Sequence, residues 1–335
     1  MARAGLVVGV TGTTGHLGGL LLRRLLADPL AVEVRSVARR PLSVDSPAQL
    51  ASHARLVHTE ADLQEPAARR ALEGADLVYH LGAQVWRGRG PGALERMYGT
   101  NVEGTRNVLA AKPAAVVFAS SASAYGSWPD NPLPLDEVQP PRPNRECHYA
   151  QQKLLAERMC LGHGGPPGRP RCVVVRLAAV LGPHADARVA SRVHAYRLAV
   201  PAILDVAQAV QWLDEDDAVT ALLAAGDACA QGMTGEIVNV ATADWLDAQA
   251  AARIAGSRVV RLPRSAVMAT SELVRRLHLA PFGADRACLI GGPLALSIGK
   301  AERFLGWAPH HSSAEVLAAA LERDWRGAPA NRRCQ

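Results

Sequence analysis

Tyr149 and Lys153 stand four residues apart in the segment HYAQQK, so on a helix their side chains share one face. A lone tyrosine, with a pKa of about 10, is a poor acid or base near neutrality. A neighbouring ammonium favours the phenolate, and an oxidised nicotinamide would add to that effect. Such a pair can pass a proton to or from a substrate oxygen while hydride moves to or from a nicotinamide. Ser121 follows the apolar run AVVFAS, which places it at the carboxyl end of a strand. From there its hydroxyl can hydrogen-bond the same oxygen and stabilise the charge that develops.

These side chains need a scaffold, and LVVGVTGTTGHLG at residues 6–18 is its organising stretch. The apolar run Leu6 to Val10 reads as a buried strand. Leu20, Leu21, Leu22, Leu25 and Leu26 then repeat at helical spacing. Between them Gly12 permits a sharp turn, Gly15 lets phosphates approach the backbone, and Gly18 lets helix and strand pack closely. The first helical N–H groups and the dipole then face a pyrophosphate, with Thr14, His16 and Leu17 in the same segment.

Val32 to Val37 is a second strand, followed by Arg39 and Arg40, where NAD-selective folds place an acidic residue for the ribose hydroxyl. Guanidinium groups bind a 2′-phosphate bidentately, so the pair favours NADP(H), with NAD(H) as the alternative. Pro41 to His53 reads as a loop or short helix. Leu56 to Thr59 is a third strand, and Asp62-Leu63 after it can meet adenine. A fourth strand, Ala75 to Leu81, ends in Gly82-Ala83. The flexible loop RGRGPG follows, with Trp86 beside it as a candidate pocket wall. A helix from about Ala93 to Ala111 carries Asn101. The fifth strand is Ala115 to Ala119, a proline-rich loop spans Trp128 to Pro143, and the sixth strand is Cys172 to Leu177. This alternation predicts an α/β chain with a Rossmann-type doubly wound parallel sheet.

Beyond Pro183 the pattern loosens. Gln211 to Leu213 and Ile237 to Val240 are expected as short strands returning to the main sheet. Helices are expected near 215–230, 246–254, 264–278 and 313–324. The expected division is a dinucleotide-binding domain over 1–182 with 205–241 returning to it. A smaller C-terminal substrate-binding lobe takes 183–204 and 242–330.

Composition sets the class. The 335 residues are 49% hydrophobic and 20% charged, as in a soluble globular enzyme. The formal charge of +6 comes from scattered arginines. No basic stripe with interleaved aromatics appears, so no nucleic-acid partner is expected. No apolar run is long enough for a bilayer, and a strand begins almost at Met1, so a cytoplasmic protein without a leader is expected. The six cysteines show no C-x-x-C pairing and read as reduced, packed thiols. His184, His194, His310 and His311 lack carboxylate or cysteine neighbours at ligand spacing, so no metal is expected. His148 receives no role. The run DEDD at 214–217 reads as a helix N-terminus.

Taken together, TGTTGHLG, the DL at 62–63, HLGA at 80–83, NVEGT at 101–105, SSASAYG, YAQQK, LGP at 181–183 and SIGKAERFLGWAP at 297–309 resemble the extended short-chain dehydrogenase/reductase family, in its epimerase/dehydratase-like branch. The resemblance implies Ser121, Tyr149 and Lys153 as catalytic triad, with Ser123 and Tyr149 meeting substrate. It implies Gly12, Gly15 and Gly18 at the pyrophosphate, and Asp62 and Leu63 at adenine. Leu81 stands near the ribose, and Gly82, Ala83, Asn101, Lys153, Leu177 and Val180 are further cofactor contacts. It also implies a homodimer through helices near 93–111 and 149–162.

Departures from that pattern narrow the chemistry. Sugar-nucleotide dehydratases carry Asp-Glu where this chain has Ala122 and Ser123. Epimerases of sugar nucleotides place an arginine on the diphosphate, where the segment here is Ala209-Val210-Gln211-Trp212. Arg188, Arg192, Arg197 or Arg253 could serve instead. The leading expectation is an NADP(H)-dependent reductase of a ketone or aldehyde on a medium-sized metabolite. The alternatives are a nucleotide-sugar epimerase holding NAD tightly, and a non-catalytic sensor of the NADP redox state.

Overall fold

A computed structural model of the chain describes residues 5–28, 33–42, 53–88, 90–162, 170–276 and 287–323, without the side chains of 274–276. Most of the Pro41–His53 stretch, Arg89 and the ends of the last lobe helices expected from sequence lie outside the described residues.

Seven parallel strands form the central sheet, in the order β10-β6-β5-β4-β1-β2-β3. They are β1 (Val7–Thr11), β2 (Glu33–Ala38), β3 (Leu56–Glu60), β4 (Leu77–His80), β5 (Ala115–Ser121), β6 (Arg171–Leu177) and β10 (Glu236–Val240). β1, β4, β5 and β6 are almost wholly buried, which is why they read as continuous apolar runs. On one face α1 (His16–Ala27) buries Leu21, Leu22, Leu25 and Leu26, and α7 (Glu215–Ala230) lies in the same core through Ala218, Leu222 and Ala225. The other face is covered by α2 (Pro66–Leu72), α4 (Gly104–Ala110) and α5 (His148–Leu161), with α3 (Ala93–Tyr98) packed against α5. Chain order reverses between β1 and β4, and ligands in such sheets sit in the crevice beyond the carboxyl ends at that point.

The helix expected over 93–111 is interrupted. Gly99–Glu103 forms a π-helical turn between α3 and α4, in which Gly104 N–H bonds the Gly99 carbonyl five residues back. Turns of this kind insert one residue and re-aim side chains, often at functional sites. Here the turn carries Asn101.

The strand expected near 211–213 does not join the main sheet. β9 (Trp212–Asp214) pairs with β7 (Ala179–Leu181) in a separate two-stranded ladder. The neighbour of β6 at that side of the main sheet is β10, and β10 and β3 form its two edges. A third ladder joins β8 (Val200–Ile203) to β11 (Val259–Leu262). Around these ladders α6 (Ala187–His194), α8 (Ala248–Ile254) and α11 (Ser313–Glu322) build a second core that includes Val193, Tyr196, Trp212, Leu246 and Leu317, while α9 (Arg264–Arg276) puts Val267 into a smaller cluster with Ile203 and Ala287. α10 (Gly299–Leu305) puts Ala301, with Trp307 after it, into the main core. Among the described residues no helix is long and apolar enough to cross a membrane.

Candidate functional site

The β1–α1 turn is shaped by Gly12, whose φ is +77° and whose absent Cβ would lie 2.7 Å from Gly82 Cα. The β1 and β4 termini therefore touch backbone to backbone. Gly15 N–H bonds the Gly12 carbonyl at 2.9 Å. Gly15 also caps α1 without a side chain, which leaves the first-turn N–H groups facing outward for an anion. A side chain at Gly18 would run into the Gly12 carbonyl. The turn thus offers bare backbone donors in a cradle that a Cβ would fill, which fits a dinucleotide pyrophosphate.

Behind the turn runs a directed hydrogen-bond chain. Thr105 Oγ1 donates to the Asn101 carbonyl at 2.7 Å and must accept from His80 Nε2 at 2.9 Å. His80 Nδ1 then accepts from Thr11 Oγ1 at 2.8 Å, and Thr11 Oγ1 accepts from Gly82 N–H at 3.0 Å. Burial, with Lys153 nearby, pushes the His80 pKa down to about 3, so the ring is neutral and its tautomer fixed. Asn101 Oδ1 accepts from Gln84 N–H at 2.7 Å, and its amide donates to Gln84 O and to Gln152 Oε1. The sequence flagged HLGA and NVEGT as motifs but gave no sign that their side chains meet each other.

Lys153 is buried on α5, and its ammonium donates to the Ala119 carbonyl of β5 at 2.6 Å. It sits 4.6 Å from the Phe118 ring centre and 5.8 Å from that of Tyr149. Burial pulls its pKa down to about 8, against an upward pull from Cys160 and Glu157. Ser121 ends β5 two residues beyond Ala119. Its Oγ accepts from Ser123 Oγ at 2.9 Å and from Ser123 N–H at 3.2 Å, which leaves the Ser121 proton to be donated elsewhere. Ser123 is buried, so it acts on Ser121. Tyr149 is half-buried and packs, like Met268 and Leu289, against the buried cluster of Cys147, Ala150 and Cys288. α5 buries Gln152, Lys153 and Glu157 among Ala150, Leu154, Ala156 and Cys160, so its covered face is mixed and the helix shows little apolar periodicity.

Sequence reasoning missed the pair under this trio. Glu157, one helical turn after Lys153, takes Arg176 Nε at 3.0 Å and Nη2 at 2.7 Å, and also accepts from Ser120 Oγ. Both charged side chains are 1% exposed. Arg176 also stacks 4.5 Å from the Tyr125 ring, and Tyr125 O–H donates to Asn239 Oδ1 at 2.9 Å.

The remaining expected contacts fall into two groups. Of those expected toward the adenine, Arg39 and Arg40 are exposed, and Arg40 Nη2 reaches the Thr14 carbonyl at 3.2 Å. Asp62 caps a turn through Gln64 N–H. Leu63 is buried, close to the space a side chain at Gly82 or Gly104 would need. Of the other expected cofactor contacts, Leu177 is buried, while Leu17, Leu81, Ala83 and Val180 are half-buried. Trp86 meets the Arg188 guanidinium at 5.1 Å, and Arg188 is held bidentately by Asp186.

The histidines do find carboxylates, across distances that spacing cannot reveal. Glu215 accepts from His16 Nε2 and from His184 Nδ1, each at 2.6 Å. Burial alone would raise the Glu215 pKa, but these bonds hold it below the usual range. Asp217 accepts from the backbone and ring nitrogens of His310 and His311. Asp214, Asp217 and His311 bring ligand atoms within 4.8 Å of one another, but the Asp217 oxygens are already taken by those donors. Gln211 is likewise committed: its amide donates to Thr242 O and Leu296 O, and its Oε1 accepts from Leu296 N–H.

The sequence model of the NAD dependent epimerase/dehydratase family matches residues 8–241. The uncharacterized protein y4nG of Sinorhizobium fredii is 26% identical over 323 residues, covering 92% of this chain and 76% of that one. A putative dihydroflavonol 4-reductase of Synechocystis is 29% identical over 158 residues, 45% of this chain and 43% of its own. The solved structure of MoeE5 with UDP-glucuronic acid and NAD superposes with a TM-score of 0.68 at 22% identity, covering 94% of this chain and 97% of that one.

Proposed function

This chain belongs to the NAD dependent epimerase/dehydratase family, and from that premise we propose that it is an NADP(H)-dependent reductase of a ketone or aldehyde on a medium-sized metabolite. The bound nicotinamide would supply the hydride. The chain's own residues supply the rest. Ser121, its acceptor side occupied by Ser123, donates to the carbonyl oxygen and polarises it. Tyr149 donates the proton that turns the developing alkoxide into an alcohol. With a pKa of about 8, Lys153 is mostly protonated at neutral pH, and its charge stabilises the phenolate that Tyr149 leaves behind. Gly12, Gly15 and Gly18 hold the pyrophosphate, Asp62 and Leu63 the adenine, and Arg39 and Arg40 a 2′-phosphate. Trp86 and Arg188 flank the substrate.

The observation that carries reduction over epimerisation is Gln211. At the place where a sugar-nucleotide epimerase needs a cation, its amide is spent on three backbone groups. The likeness to MoeE5 with a UDP-sugar and NAD favours the second reading, a nucleotide-sugar epimerase. Nucleotide binding and the substrate turned over decide between them, and a Tyr149→Phe variant tests the proton donor. A reductase gains and loses cofactor freely, binds NADPH more tightly than NADH, and loses about 10²–10⁴-fold in turnover with Tyr149→Phe. Oxidised NAD that co-purifies, with activity on UDP-sugars, overturns the reading. The assembly proposed is a cytoplasmic homodimer through α3 and α5. There Tyr98 and Leu155 are 42% and 40% exposed beside a cavity of about 530 Å³. The mass by light scattering tests it.

A further inference from the structure

His58 has no part in the site as described above, yet it closes a hydrogen-bond relay toward the Arg39-Arg40 turn. Ser36 on β2 and His58 on β3 are register partners. His58 Nε2 lies 3.3 Å from the Arg40 carbonyl. A carbonyl only accepts, so Nε2 carries a proton, and in the neutral ring Nδ1 then accepts from Ser36 Oγ at 2.8 Å. The Ser36 proton is then committed, and Thr13 Oγ1 must be the donor to Ser36 Oγ at 2.7 Å. Thr13 and Ser36 are both buried. The relay therefore runs from the glycine turn through β2 and β3 to the backbone of Arg40. The Arg40 side chain is held at its other end, with Nη2 on the Thr14 carbonyl. Both anchors lead back to the glycine turn.

We propose that His58 is a positioning residue for cofactor selectivity: by fixing the Arg40 backbone against the glycine turn, it holds the Arg39-Arg40 guanidinium groups ready for a 2′-phosphate. This rests on the NADP(H) reading above. A long arginine side chain loses much rotamer freedom when it docks on a phosphate, and holding its backbone beforehand lowers that cost. NADH has no 2′-phosphate and gains nothing from the arrangement, so the relay acts on the ratio of the two affinities.

Dissociation constants for NADPH and NADH, read by nicotinamide fluorescence on the full-length protein, test this in wild type and three variants. His58→Phe keeps a ring without hydrogen bonds. His58→Gln returns an N–H donor at the place of Nε2. Ser36→Ala cuts the relay in its middle, with less bulk change should His58→Phe fold poorly. The expected result is a fall of about fivefold in the NADPH preference for His58→Phe and Ser36→Ala, with His58→Gln recovering most of it. A preference within twofold of wild type in His58→Phe and Ser36→Ala overturns the inference. So does equal weakening of both nucleotides, which is what a merely structural role produces. A wild-type protein that shows no NADPH preference overturns the cofactor reading itself, and the inference with it.

Discussion

Replacing Glu157 by alanine strips Arg176 of its counter-charge in a place water does not reach. Both side chains are 1% exposed, and Arg176 Nη1 already has no hydrogen-bond partner among the described residues. The variant removes the acceptor of Nε and Nη2 and the partner of Ser120 Oγ. Breaking a buried pair from one side costs about 3–5 kcal/mol, because the remaining charge stays desolvated. For 335 residues the unfolding entropy is about 0.7 kcal/mol per kelvin, so the midpoint of thermal unfolding should fall by about 4–7 °C. Differential scanning calorimetry reads this directly, with Asp130→Ala as the control. Asp130 holds Arg142 with similar geometry, at 3.0 and 3.1 Å, but in the open, and its loss should lie within the error of the melt. The double variant Glu157→Met/Arg176→Met removes both charges and should recover most of the lost stability. A Glu157→Ala protein that melts within 2 °C of wild type would falsify the claim that the pair is desolvated and mutually dependent.

Gly12→Val should abolish dinucleotide binding. It forces a branched side chain to φ +77° and drives its Cβ to within 2.7 Å of Gly82 Cα, so saturating NADPH or NADH should raise the melting temperature of wild type and leave that of the variant unchanged. A ligand-induced shift equal to wild type would show that the turn does not seat the pyrophosphate. The strap formed by Asp217 and His311 should make stability depend on pH in a predictable sense. Hydrogen bonding to Asp217 raises the His311 pKa above 6.5, so that contribution is complete below pH 6.5 and is lost as pH rises through the raised value. Asp217, held low chiefly by His310 and His311 against its own burial, contributes above pH 3.8 and loses this as pH falls through the depressed value. Wild type should therefore exceed Asp217→Asn most between about pH 4 and 6.5, with the gap narrowing toward pH 8. A gap that widens on the alkaline side reverses the sign and sinks the assignment.

What was legible in the chain followed from local rules. β1, β4, β5 and β6 are buried on both faces, so their apolar runs declare them. α7 begins at Glu215 because Asp214 accepts from the backbone N–H of Asp216 and Asp217, a cap that the DEDD run advertises. Tyr149 and Lys153 share a helix face by spacing alone. What was illegible joins residues far apart in the chain. His16 meets Glu215 across 199 positions and His310 meets Asp217 across 93, and no periodicity connects such partners. β9 follows the same logic: its sequence says strand, but nothing local says that its partner is β7 and not a strand of the main sheet. The π-helical turn at Gly99 is invisible for a different reason. One inserted residue leaves the apolar spacing of α3 and α4 nearly intact while it turns Asn101 toward Gln84 and Gln152.

His80 and Lys153 show how one physical effect gives two neighbouring bases opposite duties. Burial penalises the charged form of each, so both pKa values fall. His80 starts near neutrality and falls to about 3, which removes it from proton exchange and leaves it a fixed strut between Thr11 and Thr105. Lys153 starts far above neutrality and falls to about 8, which brings it into the range where an ammonium can influence a phenol without being inert. Glu157 limits the descent, since its carboxylate favours the charged amine one turn away. Had the two residues been exchanged, the strut would carry charge into the sheet and the proton path would rest on a base too weak to hold a proton at neutral pH. The proposed chemistry therefore asks for the polar groups on the covered face of α5, set among Ala150, Leu154, Ala156 and Cys160: a buried cation, the carboxylate that sustains it, and the amide of Gln152 that ties Asn101 to the same helix.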